Sequence, residues 1–422
     1  MPHFCTSLLL FACLTSAVAL GQSEPAATEP EVIDGIPITG TANPDLRPVD
    51  EMMVELIKKI DAPGASVAIS RDGVLVYARG FGYQDEEQAE PVEPNTRFRI
   101  ASISKPITAT AIMALVHDGK LSLDDKLVDH LTDEERAVVN EELAPVTLRQ
   151  LLQHRAGWNR DKTFDPMFKS RRRDEALGIE GLDTTDKIIR GMLPLPLSDE
   201  PGSKYSYSNF GYCVLGRIIE RTTGQPYDEY VKQRVLAQQG ISTMAIGSTL
   251  TRGEHETRYH TNDGRKGPGV VEGVVGQRVP VQYGAWCLEN MDAHGGWIAT
   301  AADLVAFADG YNDNSRYDFL TDDLLAEVVS PCPADEGKNS YYGLGWLVVH
   351  VGDKQHYNMW HNGSLPGTST ILVRRHDGFN WAVLFNTRDI EGGGAPSGKV
   401  DPLMHEAVNK VQQWPAQPVS VE

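Results

Sequence analysis

The sequence predicts an α+β fold in which an antiparallel sheet is formed from both chain ends, flanked by helices, with a mostly helical subdomain inserted between those ends. β-rich runs stand at either end, "GASVAISRDGVLVYARGFGY" at 64–83 and "YGLGWLVVHVGDKQHYNMWHNGSLPGTSTILVRRHDGFNWAVLFNT" at 342–387. Helix-like stretches fill the middle near 146–154, 210–223, 227–237 and 301–309. No repeat with a period of about 20 to 50 residues recurs, which removes solenoids and propellers.

The elements follow in chain order. Residues 1–20, "MPHFCTSLLLFACLTSAVAL", lack Lys, Arg, Asp and Glu and hold an apolar run of about a dozen residues. That is the length of a signal-peptide core and too short to span a bilayer, so cleavage is expected near Ala19 to Gly21 and the mature chain to be periplasmic or extracellular, without a transmembrane helix. A lipid-modified Cys13 fits less well, because little apolar sequence precedes it. Residues 21–45, rich in Pro, Thr, Glu and Gly, read as a linker. Residues 46–412 read as the main domain and 413–422 as a C-terminal tail. "RPVDEMMVELIKKIDAPG" opens the domain with apolar positions 49, 53, 56 and 60, acids early and lysines late, the marks of a helix. Two β runs around Asp72-Gly73 follow as a hairpin. Four strand-like runs divided by turn residues close the sheet between 342 and 387.

Bulk properties narrow the function. With 422 residues, 41% hydrophobic and 23% charged, the chain can bury a large core, and a net charge of −19 argues against nucleic-acid binding. The basic run "KSRRR", Lys169 to Arg173, is the exception; it reads as a solvated face, with a meeting place for an anionic substrate as its rival. Five cysteines, two of them in the leader, leave Cys213, Cys287 and Cys332 too widely spaced for a CxxC motif, and Cys213 reads as a buried apolar residue.

Three short constellations carry chemistry. In "FRIASISKPITATAIMALVHDGKL", 98–121, apolar or small residues at 107, 111, 114 and 115 mark one helical face, with Pro106 in the first turn and Gly119 as the stop. Residues three apart on a helix are neighbours, so Lys105 can reach Ser102 and, if kept neutral, take its proton. The alternative is a Ser102 N-cap beside a solvated Lys105. Ser104, adjacent to Lys105, points elsewhere. In "PGSKYSYSNFGY", Tyr207 can relay protons and Asn209 can orient a lysine; a turn tyrosine and an N-capping Asn is the bland alternative. In "MWHNGSLPGTST", His361 stands at the end of a strand run, followed by Gly363, whose missing side chain would let a substrate approach the backbone. His294-Gly295-Gly296 and His376-Asp377-Gly378 have the same pattern but look less well placed.

In this order and with these spacings, SxxK, YxN and HxG resemble the serine β-lactamase and penicillin-binding-protein family of the class C type, whose relatives include D-alanyl-D-alanine carboxypeptidases, D-aminopeptidases and esterases. The framing stretches "GKLSLDDKL", "VTLRQLLQHRAGW" and "GGWIATAADLVAF" are similar too, so the likeness spans roughly residues 48 to 410. The resemblance makes 46–412 a catalytic domain with Ser102 as acylated nucleophile, Lys105 as its base and Tyr207 as a second proton relay. It makes Asn209 a guide for Lys105 and substrate, and the backbone N–H groups of Ser102 and Ser364 the oxyanion hole. His361 would line the far wall, keeping Lys105 neutral or meeting a substrate carboxylate, and Gly363 would belong to the binding edge. No cofactor or metal is implied. Many β-lactamases of the family carry Lys-Thr-Gly where this chain has His361-Asn362-Gly363, so carboxylesters and D-amino-acid peptides are favoured over β-lactams as substrates.

The rivals are a class C β-lactamase and a protein that binds peptidoglycan or β-lactams without turnover. "HETRYH" at 255–260 misses the zinc motif HExxH by one residue, so its histidines do not share a helical face. No GxSxG, GxxxxGKS or GxGxxG occurs. The segment 159–202 is expected to build a substrate-facing wall.

Overall fold

A computed structural model describes residues 30–421 apart from 86, 88, 170, 262, 315, 353–354 and 391–392. The expected signal peptide and the first part of the expected linker lie outside the described residues. No helix among those described is long and apolar enough to cross a membrane.

Nine strands form one antiparallel sheet: β1 (Glu31–Ile33), β2 (Ile36–Ile38), β3 (Gly64–Arg71), β4 (Val74–Gly82), and, after five short strands elsewhere, β10 (Ser340–Tyr342), β11 (Leu347–Val351), β12 (His356–Leu365), β13 (Thr368–Arg374) and β14 (Phe379–Phe385). The order β1-β2-β4-β3-β14-β13-β12-β11-β10 joins the chain ends where β14 pairs β3, Phe379 opposite Arg71 through Phe385 opposite Ala65. The intervening strands are β5 (Phe98–Arg99), β6 (Ala245–Ile246), β7 (Lys266–Pro268), β8 (Arg278–Pro280) and β9 (Trp297–Ala299). Of these, β5, β9 and β6 make a small second sheet and β7 with β8 a hairpin.

The helices are α1 (Arg47–Ile60), α2 (Ser104–His117), α3 (Asp133–Arg136), α4 (Leu148–Leu152), α5 (Arg171–Leu177), α6 (Thr185–Met192), α7 (Asn209–Thr223), α8 (Tyr227–Arg234), α9 (Ala301–Asp309), α10 (Asp322–Val328) and α11 (Pro396–Lys410). Alternation along the central strands decides what covers each face of the sheet. Val67, Ile69, Ile371, Val373, Val383 and Phe385 pack with α1 and α11. Ala68, Leu372, Ala382 and Leu384 face the other way, into the larger core shared with α2, α7 and α9. Both faces are therefore covered, which is why these strands read as nearly continuous apolar runs.

Several expectations are corrected. Within the expected linker, β1 and β2 form a hairpin that joins the sheet through Ile38 and Phe81. The helix α11 carries Gly398 and an internal Pro402, which disguise its apolar face of Val400, Met404, Ala407 and Val408. The C-terminal tail is docked: Val419 N–H donates to the Leu75 carbonyl and Trp414 packs on Phe379. β10 adds a fifth strand to the C-terminal run. Helix α2 is buried on every side from Ser104 to Leu115, because it runs through the junction of sheet and helical region.

Candidate active site

The turn that presents Ser102 is held from four directions. Arg99 N–H donates to Tyr259 Oη at 2.8 Å and Ile100 N–H to the Trp297 carbonyl at 3.0 Å. Thr368 Oγ1 donates to the Arg99 carbonyl and Thr370 Oγ1 to the Ile100 carbonyl, each at 2.9 Å. Between these clamps Ala101 adopts φ +49, a left-handed conformation that costs a non-glycine residue and persists only where its surroundings impose it. Gly363 on β12 supplies part of that imposition. A Cβ there would collide with the Ile100 carbonyl and Thr370 Oγ1, so only glycine lets the strand close on the turn. The glycine thus serves the backbone that presents Ser102, where a substrate approach was expected.

Ser102 sits in a 3₁₀ turn, Ala101–Ile103, leading into α2, and caps neither helix. Lys105, fully buried, directs Nζ to Ser102 Oγ at 3.1 Å, Asn209 Oδ1 at 2.8 Å and the His294 carbonyl at 2.9 Å. Burial pushes its ammonium well below the usual lysine range; the Asp165 carboxylate opposes this and the Arg160 guanidinium adds to it. A neutral amine has two N–H bonds and one lone pair. Asn209 and His294 are pure acceptors toward it and take both N–H groups, which leaves the lone pair for the Ser102 hydroxyl.

Ser208 caps α7 by accepting from Gly211 N–H at 3.2 Å, which frees the Asn209 side chain for Lys105. Asp165 Oδ2 accepts from Asn209 Nδ2 at 2.6 Å and so fixes which end of the amide faces the lysine. Tyr207 touches Ser102 through its hydroxyl, while its ring lies 4.7 Å from Lys105 Nζ and 4.8 Å from the Arg160 guanidinium. Burial raises the phenol's pKa strongly, so it stays protonated and can donate. His154, itself at φ +57, backs this tyrosine with ring centroids 4.3 Å apart and accepts from Ser208 N–H at 3.1 Å.

His361 lies inside β12, four residues before its end, rather than closing a strand. Its Nδ1 donates to the Asn362 carbonyl at 2.7 Å and its Nε2 accepts from Tyr342 Oη at 2.9 Å. Burial, with the charge of Lys105 second, drives its pKa to about 3. A neutral imidazole with both nitrogens engaged is no cation for a carboxylate and brings no charge to bear on Lys105.

A cavity of about 520 Å³ opens over Ser102, with Tyr207, Asn209, His361, Asn362 and Ser364 in its wall. The structure therefore brings together every residue expected at the site: five line the cavity beside Ser102, while Lys105 lies beneath its wall against Ser102 and Gly363 lies behind it. Segment 159–202 contributes Arg160 and Phe168. Within "KSRRR", neither Lys169 nor Arg173 lines the cavity: Arg173 is buried and its guanidinium is held by Asp174 and Asp183. His294 also lines the site, contrary to its sequence ranking, through the backbone carbonyl that holds Lys105. Asp165, Arg160, His154 and Arg388 were not singled out from sequence, since nothing local distinguishes them. His260 bonds the Gln84 carbonyl while His255 lies at the surface, and no cluster of three or more metal-ligating side chains occurs among the described residues.

An α+β sheet with a Ser-Lys pair at its junction with a helical region defines the class. The chain matches the Beta-lactamase family over residues 49–396 and belongs to it. It is 25% identical over 317 residues to penicillin-binding protein 4* of Bacillus subtilis, covering 74% of this chain and 65% of that protein. The chain spans between about two fifths and two thirds of the curated relatives it matches. Among solved structures, the octameric penicillin-binding protein homologue from Pyrococcus abyssi superposes with a TM-score of 0.65 at 25% identity, covering 86% of this chain and 77% of that one. The D-amino acid amidase of Ochrobactrum anthropi shares the fold, with a TM-score of 0.66 at 24% identity over 87% of this chain and 99% of that one.

Proposed function

We propose that this chain is an exported serine hydrolase acting through a covalent seryl ester on carboxylesters or D-amino-acid peptides. One observation carries the reading: a buried Lys105 whose Nζ stands 3.1 Å from Ser102 Oγ while Asn209 Oδ1 and the His294 carbonyl hold it from other sides, so that its neutral form would turn a lone pair to the Ser102 hydroxyl. Ser102 Oγ attacks the substrate carbonyl as its proton passes to Lys105 Nζ. The developing oxyanion is received by the backbone N–H groups of Ser102 and Ser364. Tyr207 Oη gives its proton to the leaving oxygen or nitrogen as the carbonyl re-forms, and Lys105 restores the relay. A water then enters, loses a proton to the same relay and releases the acid from Ser102. The neutral His361 disfavours β-lactams, whose carboxylate meets a lysine in many β-lactamases.

Steady-state turnover of an activated ester, a D-alanyl-D-alanine peptide and a penicillin by the mature protein and by Ser102→Ala tests the reading. Turnover of the ester or the peptide ahead of the penicillin, lost in the variant, is the expected result. Adducts without release would make the chain a binding protein, and turnover retained by Ser102→Ala would end the mechanism.

A further inference from the structure

We infer that a second cavity, behind the turn that presents Ser102, binds a free α-amino acid through both of its charges. This site goes beyond the acyl-transfer reading and its test does not depend on turnover. The cavity, of about 620 Å³, opens between Glu87, Arg258 and the end of β8 at Pro280, and it shares no lining residue with the cavity over Ser102.

Four Arg and Glu side chains line it, and two of them cancel. Arg252 donates to the Glu90 carboxylate at 3.2 Å. Arg258 and Glu87 are exposed in the same space, and among the described residues neither side chain makes a hydrogen bond or an ion pair. The Asp85 carboxylate, which lies in the field of Arg258, accepts from the backbone N–H groups of Ala89 and Glu90 at 2.9 and 3.2 Å. One uncommitted guanidinium and one uncommitted carboxylate in a single cavity match a zwitterion. The guanidinium offers parallel N–H donors to a carboxylate, and the carboxylate accepts from an ammonium. A ligand with one charge would satisfy only one of the two.

The floor adds an acceptor and the wall an apolar side. Gln282, 9% exposed, donates from Nε2 to the Tyr259 carbonyl at 3.1 Å, while its Oε1 has no partner among the described residues. A buried acceptor left unpaired costs free energy that a ligand N–H can recover. Leu250, Pro280 and Tyr283 complete the lining, so the amino acid is one with an apolar side chain.

Tyr259 and Gln282 are also the residues that hold Arg99. Tyr259 Oη accepts from Arg99 N–H at 2.8 Å, the Gln282 carbonyl accepts from Arg99 Nη1 at 2.7 Å, and the guanidinium lies 4.4 Å from the Tyr259 ring. An occupant would therefore rest on groups that fix the chain three residues before Ser102.

Calorimetric titration of Ser102→Ala with L- and D-methionine, N-acetylmethionine and methioninamide tests the site one charge at a time. Methionine of at least one hand should bind about tenfold or more tighter than either derivative, since each derivative lacks one charged hydrogen-bonding group. Adding Arg258→Gln should remove the advantage over methioninamide, and adding Glu87→Gln the advantage over N-acetylmethionine, each leaving the other advantage in place. Both side chains stand at the surface, so the urea unfolding midpoint should stay at that of Ser102→Ala. No saturable binding of methionine, equal binding of all the ligands, or a preference that survives both substitutions overturns the inference; the last would assign the binding to the cavity over Ser102. Because the nucleophile is absent throughout, failure of the acyl-transfer reading leaves this result untouched.

Discussion

Lys105 donates to Asn209 over 2.8 Å, across 104 positions of sequence, with the far end of the same amide anchored on Asp165. Burial lowers the lysine's pKa most, and two charged groups of the stretch 160–165 adjust it. Asp165 favours the ammonium and Arg160 disfavours it.

These two groups should move the pH profile in opposite directions. A lysine base works deprotonated, so activity rises as pH climbs through its pKa. Asp165→Asn keeps an acceptor for Asn209 but removes the charge that raises the Lys105 pKa, and the acidic limb of kcat/KM should shift to lower pH. Arg160→Gln removes a lowering charge, and the limb should shift to higher pH. Limbs that stay together in both variants would show that Lys105 is not the titrating base.

Tyr207 should act as a donor. Burial raises the pKa of its phenol above the ordinary tyrosine range, so it is protonated at neutral pH. Tyr207→Phe removes one hydroxyl from a packed ring and should lower kcat by roughly 10²- to 10⁴-fold, the range of positioned proton transfer. A kcat within about threefold of the parent would assign the leaving-group proton elsewhere.

Gly363→Ala should damage the nucleophile from behind. The added methyl meets the Ile100 carbonyl and Thr370 Oγ1 and must displace the turn ahead of Ser102. We expect a loss of about 1–3 kcal/mol in urea unfolding, as for overpacked cores, and acylation reduced more than the stability loss explains. Acylation at the parental rate would mean that the turn does not depend on this closure.

Asp309 should make stability depend on pH. It is buried against Ser70, Asn312 and Asn380, and burial lifts its pKa from the usual aspartate range to about 6. A raised folded pKa contributes stability below the unfolded pKa that is lost as pH rises to the folded one. The folded protein should therefore lose roughly 2–3 kcal/mol between about pH 4 and pH 6 on this account. Asp309→Asn should flatten that fall in urea titrations at pH 4 and pH 7. An unchanged slope would place the pH dependence on other groups.

How much of this was legible in the sequence follows from range. Ser102, Lys105, Tyr207 and Asn209 lie in short motifs whose spacing on a helix or turn is fixed by local geometry, and the structure brings them within contact. The terminal strands were legible because their β-rich runs and Asp-Gly turns are local signals too. Asp165, Arg160 and Arg388 reach the cavity only through tertiary packing, which leaves no spacing to read. His361 was visible as a residue and expected to be largely neutral, but the cause was not legible: burial lowers its pKa first and the charge of Lys105 second. The α11 helix was hidden by its own Gly398 and Pro402.

Intact-mass spectrometry over time, with the mature protein mixed briefly with an activated ester or a fluorescent penicillin and the adduct mapped by peptide digestion, decides whether Ser102 is acylated with Lys105 as its base. A single acyl group on Ser102, absent in Ser102→Ala and formed at least about 10²-fold more slowly in Lys105→Ala, is the predicted result. Modification of any other residue, or acylation of Ser102 at an undiminished rate without Lys105, would contradict it.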